Sequence, residues 1–169
     1  MNNQLPQRKL IRVPEFMALK GQRPIAMLTA YDFESARWAD EAGVDSILVG
    51  DSLGMVVLGH RTTIPVTLED MARHGAAVAR AKPKALTILD MPFLSYQVSP
   101  EQALGQPVLL VQQSGCETVK LEGGVRCADA IYKITQAGIP VCAHIGMTPQ
   151  SVYSFGGNLV QGVPDQQAD

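Results

Sequence analysis

Apolar residues in this chain come in short runs, and five of these runs end on a side chain able to do chemistry. Residues 25–30 lead into Tyr31-Asp32, and 46–49 into Gly50-Asp51-Ser52. The run 86–89 stops at Asp90, 118–121 at Glu122, and 140–143 at His144. Stretches with helical periodicity separate most neighbours in the series. Buried-type strands alternating with helices predict a parallel sheet, with functional groups gathered at the carboxyl ends of its strands.

Helix boundaries are written into the sequence. The segment 13–20 predicts a short amphipathic helix beginning beside Pro14, and 33–42 a second helix closed by Gly43. Thr67 with Asp70 three positions on predicts a capping box, followed by an apolar stripe of Leu68, Met71, Gly75 and Val78. Ser99-Pro100-Glu101-Gln102 is a second start signal: a cap residue, proline at the first helical position and Gln at the third. Gly115 ends that helix, and Pro107 inside it is expected to kink or split it. Residues 129–137 predict a further helix closed by Gly138, and 148–161 a mixture of turn and short helix. The stretch 53–65 has no helical period and reads as a long loop over the strand ends.

Two architectures accommodate this order, an open doubly wound sheet and part of a closed (β/α)₈ barrel. The open sheet would want a glycine-rich turn after strand one, where Tyr31-Asp32-Phe33-Glu34 stands instead. A barrel is therefore expected. At 169 residues, with 46% hydrophobic content, the chain can bury a substantial core as one domain spanning 1–169. A formal charge of −2 without a basic block argues against nucleic acid or an anionic membrane as partner. The start, MNNQLPQRKLIRV, has no apolar stretch of signal-peptide length, and a cytoplasmic location is expected. Cys116, Cys127 and Cys142 make an odd count without metal-ligand spacing, as in reduced intracellular proteins. Cys142 would share a strand face with His144, where a small buried residue is commoner than a ligand.

The chemistry at the strand ends has a bland and a sharp reading. Asp51 and Asp90, on different strands facing one mouth, would suit a hard cation such as Mg²⁺, which keeps water or substrate oxygens as its other ligands. Taken singly, each is more often a cap than a ligand. Lys120 and Glu122 project to one face, so the ammonium needs a partner: Glu122 in a structural ion pair, or a substrate carboxylate. A lone His144 is more often a satisfied core histidine than a catalytic one. His60 falls in the loop and His74 on a helix. Ser52 lacks the glycine offsets of a hydrolase nucleophile but could bind an anionic oxygen.

The strings MLTAYD (27–32), VGDSLGMVVLGH (49–60), TIPVT (63–67), DMPF (90–93), KLEGG (120–124) and HIGMTPQSV (144–152) occur in this order. In combination they resemble the ketopantoate hydroxymethyltransferases over nearly the whole chain. Gly105-Gln106-Pro107, Ala143 and Asn158-Leu159 depart from the family's pattern. The resemblance implies a (β/α)₈ TIM barrel of the phosphoenolpyruvate-binding superfamily, with about the first five strands present here, and assembly as a homodecamer. It implies transfer of a hydroxymethyl group from 5,10-methylenetetrahydrofolate to 3-methyl-2-oxobutanoate, giving 2-dehydropantoate in pantothenate biosynthesis through a Mg²⁺-stabilised enolate. By the same resemblance Asp51 and Asp90 hold the metal and contact substrate, Glu122 supports the metal, and Ser52 and Lys120 bind the substrate carboxylate. His144 is then the catalytic contact. The family's general base falls beyond Asp169, with three more strand–helix units, so 169 residues alone are expected to form an inactive or aggregation-prone fragment. Two other readings remain: a Mg²⁺-dependent 2-oxo acid lyase or phosphonomutase of the same superfamily, and a non-catalytic truncated paralogue.

Overall fold

The computed structural model of the chain describes residues 8–162. The extreme N-terminal residues read for a targeting signal, and the end at Asp169, lie outside them. The elements are α1 (Val13–Ala18), β1 (Met27–Thr29), α2 (Phe33–Glu41), β2 (Ser46–Val49), α3 (Leu53–Val56), α4 (Leu68–Arg80) and β3 (Leu86–Asp90). They continue with α5 (Pro100–Ser114), β4 (Thr118–Glu122), α6 (Ala128–Gln136), β5 (Val141–His144) and α7 (Val152–Phe155). Single 3₁₀ turns precede α6 and α7, at Gly124–Cys127 and Pro149–Ser151. No helix among the described residues is long and apolar enough to cross a membrane.

All five strands are parallel, and their order in the sheet is their order in the chain, β1-β2-β3-β4-β5. That order separates the two architectures. A doubly wound sheet reverses direction at a switch point and puts helices on both faces, whereas unbroken succession winds one way, as in a barrel. The helices follow suit: α2 packs on α4, α4 on α5, and α5 on α6. The structure is thus α/β, with five consecutive strand–helix units of a barrel.

The capping residues act as the sequence predicts. Thr67 Oγ1 accepts the Asp70 N–H (3.1 Å) while Asp70 Oδ2 accepts the Thr67 N–H (3.0 Å). Ser99 Oγ accepts the Gln102 N–H (3.2 Å), and Gly115 closes α5 at φ +75°, a conformation that favours glycine. Asp32, grouped with the chemistry-bearing strand ends by its position, is instead the cap of α2, accepting the Ser35 N–H at 2.8 Å.

Two expectations are corrected. Residues 53–56 form α3 within the stretch read as loop, because Gly54, Met55 and Val56 donate back to Asp51 and Ser52 carbonyls. Pro107 does not split α5, which runs unbroken through it. It lies on the buried stripe with Ala103, Leu110 and Ser114, so packing against α4 and α6 holds the helix despite one missing hydrogen bond.

Side-chain alternation divides the sheet. Ile47, Val49, Leu89, Val119 and Leu121 face the helices and join Ala36, Met71, Val78, Leu110 and Ile134 in the core. The opposite face carries Leu48 and Ile88 with the buried hydroxyls of Ser46 and Thr118 low in the sheet, and Asp90, Lys120, Glu122 and His144 at its carboxyl end, so it is uncharged below and charged above. At the outer margin β1 is exposed throughout, with Leu28 half-exposed.

Gly75 sits where α4 packs tightly on both α5 and the sheet: a Cβ there would lie 2.8 Å from Ser114 Cβ and 3.1 Å from Leu89 Cδ1. Gly105, in exposed helix, would meet nothing within 4 Å. Gly75→Ala is expected to lower stability by about 1–3 kcal/mol through overpacking. Gly105→Ala should raise it by about 0.4–1 kcal/mol through the unfolded chain. Urea midpoints of the two variants check this pair of opposite signs.

Candidate active site at the carboxyl ends of the strands

Register assembles the site. Asp90 on β3 stands opposite Lys120 on β4, and Glu122 opposite His144 on β5. Residues paired across parallel strands share a face, and so do residues two apart, so these four project together on the face away from the helices. Asp51 joins them from the turn after β2, its own N–H donating to Asp90 Oδ2 at 3.1 Å. Gly50 permits this closeness, since a Cβ there would lie 2.8 Å from Ser52 Oγ and 3.6 Å from Asp90 Oδ2.

Lys120 Nζ bonds Asp90 Oδ1 at 2.6 Å. Its partner is therefore the cross-strand neighbour and not Glu122, which the two-residue spacing had suggested. The register puts the carboxylate directly opposite, whereas Glu122 is occupied elsewhere. Glu122 Oε1 lies 3.1 Å from His144 Nδ1, and Oε2 accepts the Gln150 N–H at 3.0 Å. Ser52 Oγ lies 2.9 Å from the Tyr31 hydroxyl, which ties the turn after β2 to the end of β1.

The structure thus brings all six sequence-predicted residues to one end of the sheet. It also adds two that sequence reasoning missed. Gln150, in the turn after β5, donates from Nε2 to Asp51 Oδ2 (2.9 Å) and the Met91 carbonyl (2.8 Å). Tyr96 accepts the Glu122 N–H at its phenol oxygen (3.0 Å) and donates to Gln150 Oε1 (2.7 Å). Gln150 lies inside the HIGMTPQSV string, which could have drawn attention to it; nothing local marks Tyr96. Cys142 shares the site face by register with Lys120 on a strand that is only partly buried, and desolvation pushes its thiol pKa up. His74 braces the scaffold, its Nδ1 2.6 Å from the Tyr31 carbonyl, and His60 stays exposed.

Electrostatically the cluster is short of positive charge. Asp51, Asp90 and Glu122 are each at most 5% exposed, and the cations facing them are the Lys120 ammonium and, if protonated, His144. Burial, and then the nearby Asp90 charge, push the Asp51 carboxyl up to about 6, although Gln150 and Lys120 pull the other way. Burial likewise raises Asp90 against the pull of Lys120. For Lys120 burial works against the charge, but the Asp90 carboxylate outweighs it and holds the pKa above its ordinary value. The Tyr96 phenol is pushed far up by burial and stays protonated.

Among the described residues no three His, Cys, Asp or Glu side chains stand in metal-binding geometry. Asp51, Asp90 and Glu122 therefore make no closed cage. Mg²⁺ does not need one, since it is usually bound by one or two carboxylates and completed by water or substrate oxygens. The donor set fits such an ion: hard carboxylate oxygens with surplus negative charge. Thr63 Oγ1 adds a buried hydroxyl without a hydrogen-bond partner, near enough to Asp51 to draw its carboxyl pKa down. Beside Glu122 opens a cavity of about 400 Å³ walled by Phe93, Tyr96, Arg126 and Tyr153; the Asp51–Asp90–Lys120 group lies outside its lining.

Fold and site together define a class: part of an α/β barrel with paired carboxylates and a lysine at the carboxyl ends of its strands. Solved structures agree on the fold. Phosphonopyruvate hydrolase, solved with oxalate and Mg²⁺, superposes with a TM-score of 0.62 at 14% identity over 84% of this chain and 53% of its own. A 2,3-dimethylmalate lyase described as a PEP mutase/isocitrate lyase superfamily member gives a TM-score of 0.56 at 20% identity, covering 76% of this chain and 51% of the lyase. Sequence is more specific. Residues 10–169 match the family model described as ketopantoate hydroxymethyltransferase, and the chain belongs to that family. The 3-methyl-2-oxobutanoate hydroxymethyltransferase of Caldivirga maquilingensis is 53% identical over 161 residues, 95% of this chain and 60% of the relative. That of Geobacillus kaustophilus is 54% identical over 145 residues, 86% of this chain and 52% of the relative. The chain thus spans about 60% of the length of the first of these.

Asp51 supplies a test of the site's electrostatics. Its folded value of about 6 lies above the ~3.9 of an unfolded aspartate, so the folded protein holds that proton more tightly. The stability it contributes is complete below about pH 4 and is lost as pH rises through 6. In metal-free buffer, Asp51→Asn should therefore gain stability relative to the parent across that window and level off above it, as chemical denaturation at a series of pH values would show.

Proposed function

We propose that this chain carries the 2-oxo acid site of a 3-methyl-2-oxobutanoate hydroxymethyltransferase, which moves a one-carbon unit from 5,10-methylenetetrahydrofolate to that acid and yields 2-dehydropantoate. The observation that carries the reading is the buried group of Asp51, Asp90 and Lys120 at the strand ends of a chain matching this family over residues 10–169. A 2-oxo acid presents one anionic and one neutral oxygen side by side. Asp51 and Asp90 would hold Mg²⁺ with the outer support of Glu122, and the bound ion would supply Lewis acidity toward those two oxygens.

The chain's own residues have definite tasks. Lys120 spends one N–H on Asp90 and has two more for the substrate carboxylate, fixed in direction because Asp90 anchors the ammonium. Ser52, held by the Tyr31 hydroxyl, offers a second donor at the same mouth. His144 has Nδ1 committed to Glu122, which orients the ring and leaves Nε2 for the substrate region. Removal of the proton at C3 is assigned to none of the described residues. Anchoring the site on strands keeps its geometry stiff, which proximity catalysis requires.

The lyase and phosphonomutase reading rests on structures only 14–20% identical, and so on fold alone, while the hydroxymethyltransferase relatives share about half of all residues. Substrate separates the two. The chain should bind 3-methyl-2-oxobutanoate in preference to other 2-oxo acids, and only with Mg²⁺ present, as titration calorimetry would show; Mg²⁺-dependent exchange of its C3 proton for deuterium by these 169 residues alone would overturn the expectation that they are inactive. Exchange or cleavage of other 2-oxo acids without use of the folate would favour the second reading. Asp51→Ala is expected to abolish Mg²⁺-dependent binding of 3-methyl-2-oxobutanoate in titration calorimetry, and undiminished binding would remove Asp51 from the metal site.

A further inference from the structure

Gln150 touches two of the site's three buried carboxylates, though it stands 99 positions from Asp51 and in a different strand–helix unit. It is itself 6% exposed, so each of its polar atoms must find a partner inside the protein. The direction of its amide follows from its neighbours. The Glu122 N–H donates to the Tyr96 phenol oxygen, so the phenol proton points to Gln150 Oε1. Gln97 Nε2 donates to the same Oε1 at 3.1 Å. On the other side the Met91 carbonyl can only accept, which requires the NH₂ group there. Both ends give one answer: the NH₂ group faces Asp51 Oδ2. Among the described residues Oδ2 receives the Gln150 hydrogen bond and no donor meets hydrogen-bond geometry at Oδ1, the Thr63 hydroxyl acting on the carboxylate without such a bond.

We propose that Gln150 is a positioning residue for the divalent cation. Its side chain holds one oxygen of Asp51 so that the other is presented to the ion, and its backbone N–H holds Glu122 in register with the same site. Tyr96 locks the amide in the orientation this needs. The inference rests on the reading of Asp51 and Asp90 as cation ligands and extends it to a residue of the turn after β5. A loop-closing role alone would give Gln150 the same buried hydrogen bonds, so stability cannot separate the two roles. Cation affinity can.

Mn²⁺ serves as the probe, titrated calorimetrically into the metal-free full chain, with thermal midpoints recorded alongside. Gln150→Met keeps the volume and removes the donors. It is expected to weaken Mn²⁺ binding about 10–100-fold, the usual effect of losing a group that orients a ligand. Tyr96→Phe should weaken it in the same direction by less, and the double variant should bind no worse than Gln150→Met, since both act through one amide. Mn²⁺ affinity within about twofold of the parent in folded Gln150→Met would overturn the positioning role, whatever the thermal midpoint does. Should Gln150→Met fail to fold, unchanged affinity in Tyr96→Phe overturns it equally. A parent protein that binds no Mn²⁺ overturns the cation reading and this inference together, an outcome distinct from normal binding in parent and variants alike.

Discussion

The pairing of Asp90 with Lys120 across β3 and β4 is the interaction on which the site depends. An ionised carboxylate in a protein interior is tolerated only with a partner, and so is an ammonium. Each makes the other's burial possible, at 2.6 Å, on strands whose register leaves no choice of neighbour. With that pair in place Asp51 can donate its N–H to the second Asp90 oxygen, and the turn after β2 is drawn over the end of β3. The lysine neutralises one charge and no more. The two further buried acids, Asp51 and Glu122, need donors from elsewhere or a cation.

That requirement explains how the loops are arranged. Glutamine and tyrosine supply hydrogen-bond donors without adding net charge, so the network can satisfy carboxylate oxygens while the site stays electronegative. A second lysine or arginine at position 150 would neutralise the pocket and compete with a bound ion. Glu122 shows the same economy from the other side, with one oxygen given to His144 and one to a backbone N–H. Polar satisfaction and a cation-attracting field are thus met by one arrangement of groups.

The sheet keeps these demands away from stability. Its helix-facing side is apolar but for Thr87, with Ile47, Val49, Leu89, Val119 and Leu121, and carries the packing. Its other side turns from Leu48 and Ile88 to acids and a lysine within two or three residues. Period-two alternation allows one strand to serve both purposes at once. The same division bears on the likeness in fold. Structures 14–20% identical share the strand succession, which many apolar sequences can encode.

Much of this was legible in the chain itself, where the signal is local. Ser46–Val49 is the second strand as read, and the caps at Thr67 and Ser99 stand where their short-range hydrogen bonds require them. The six site candidates, five at or just past a run end and Lys120 two residues before one, were legible because a strand's carboxyl end is fixed by its own hydrophobic run. What partners those residues take was not legible. Lys120 chose Asp90 over Glu122 because register between strands, not spacing within one, decides which charges meet. Pro107 stays helical because two neighbouring helices pack against its turn. Gln150 and Tyr96 reach the carboxylates from remote turns, and no local pattern encodes a contact across 99 positions. The sequence by itself determined the elements and the chemistry available at their ends. Tertiary structure alone decided how that chemistry is wired, since burial and register exist only once the strands have come together.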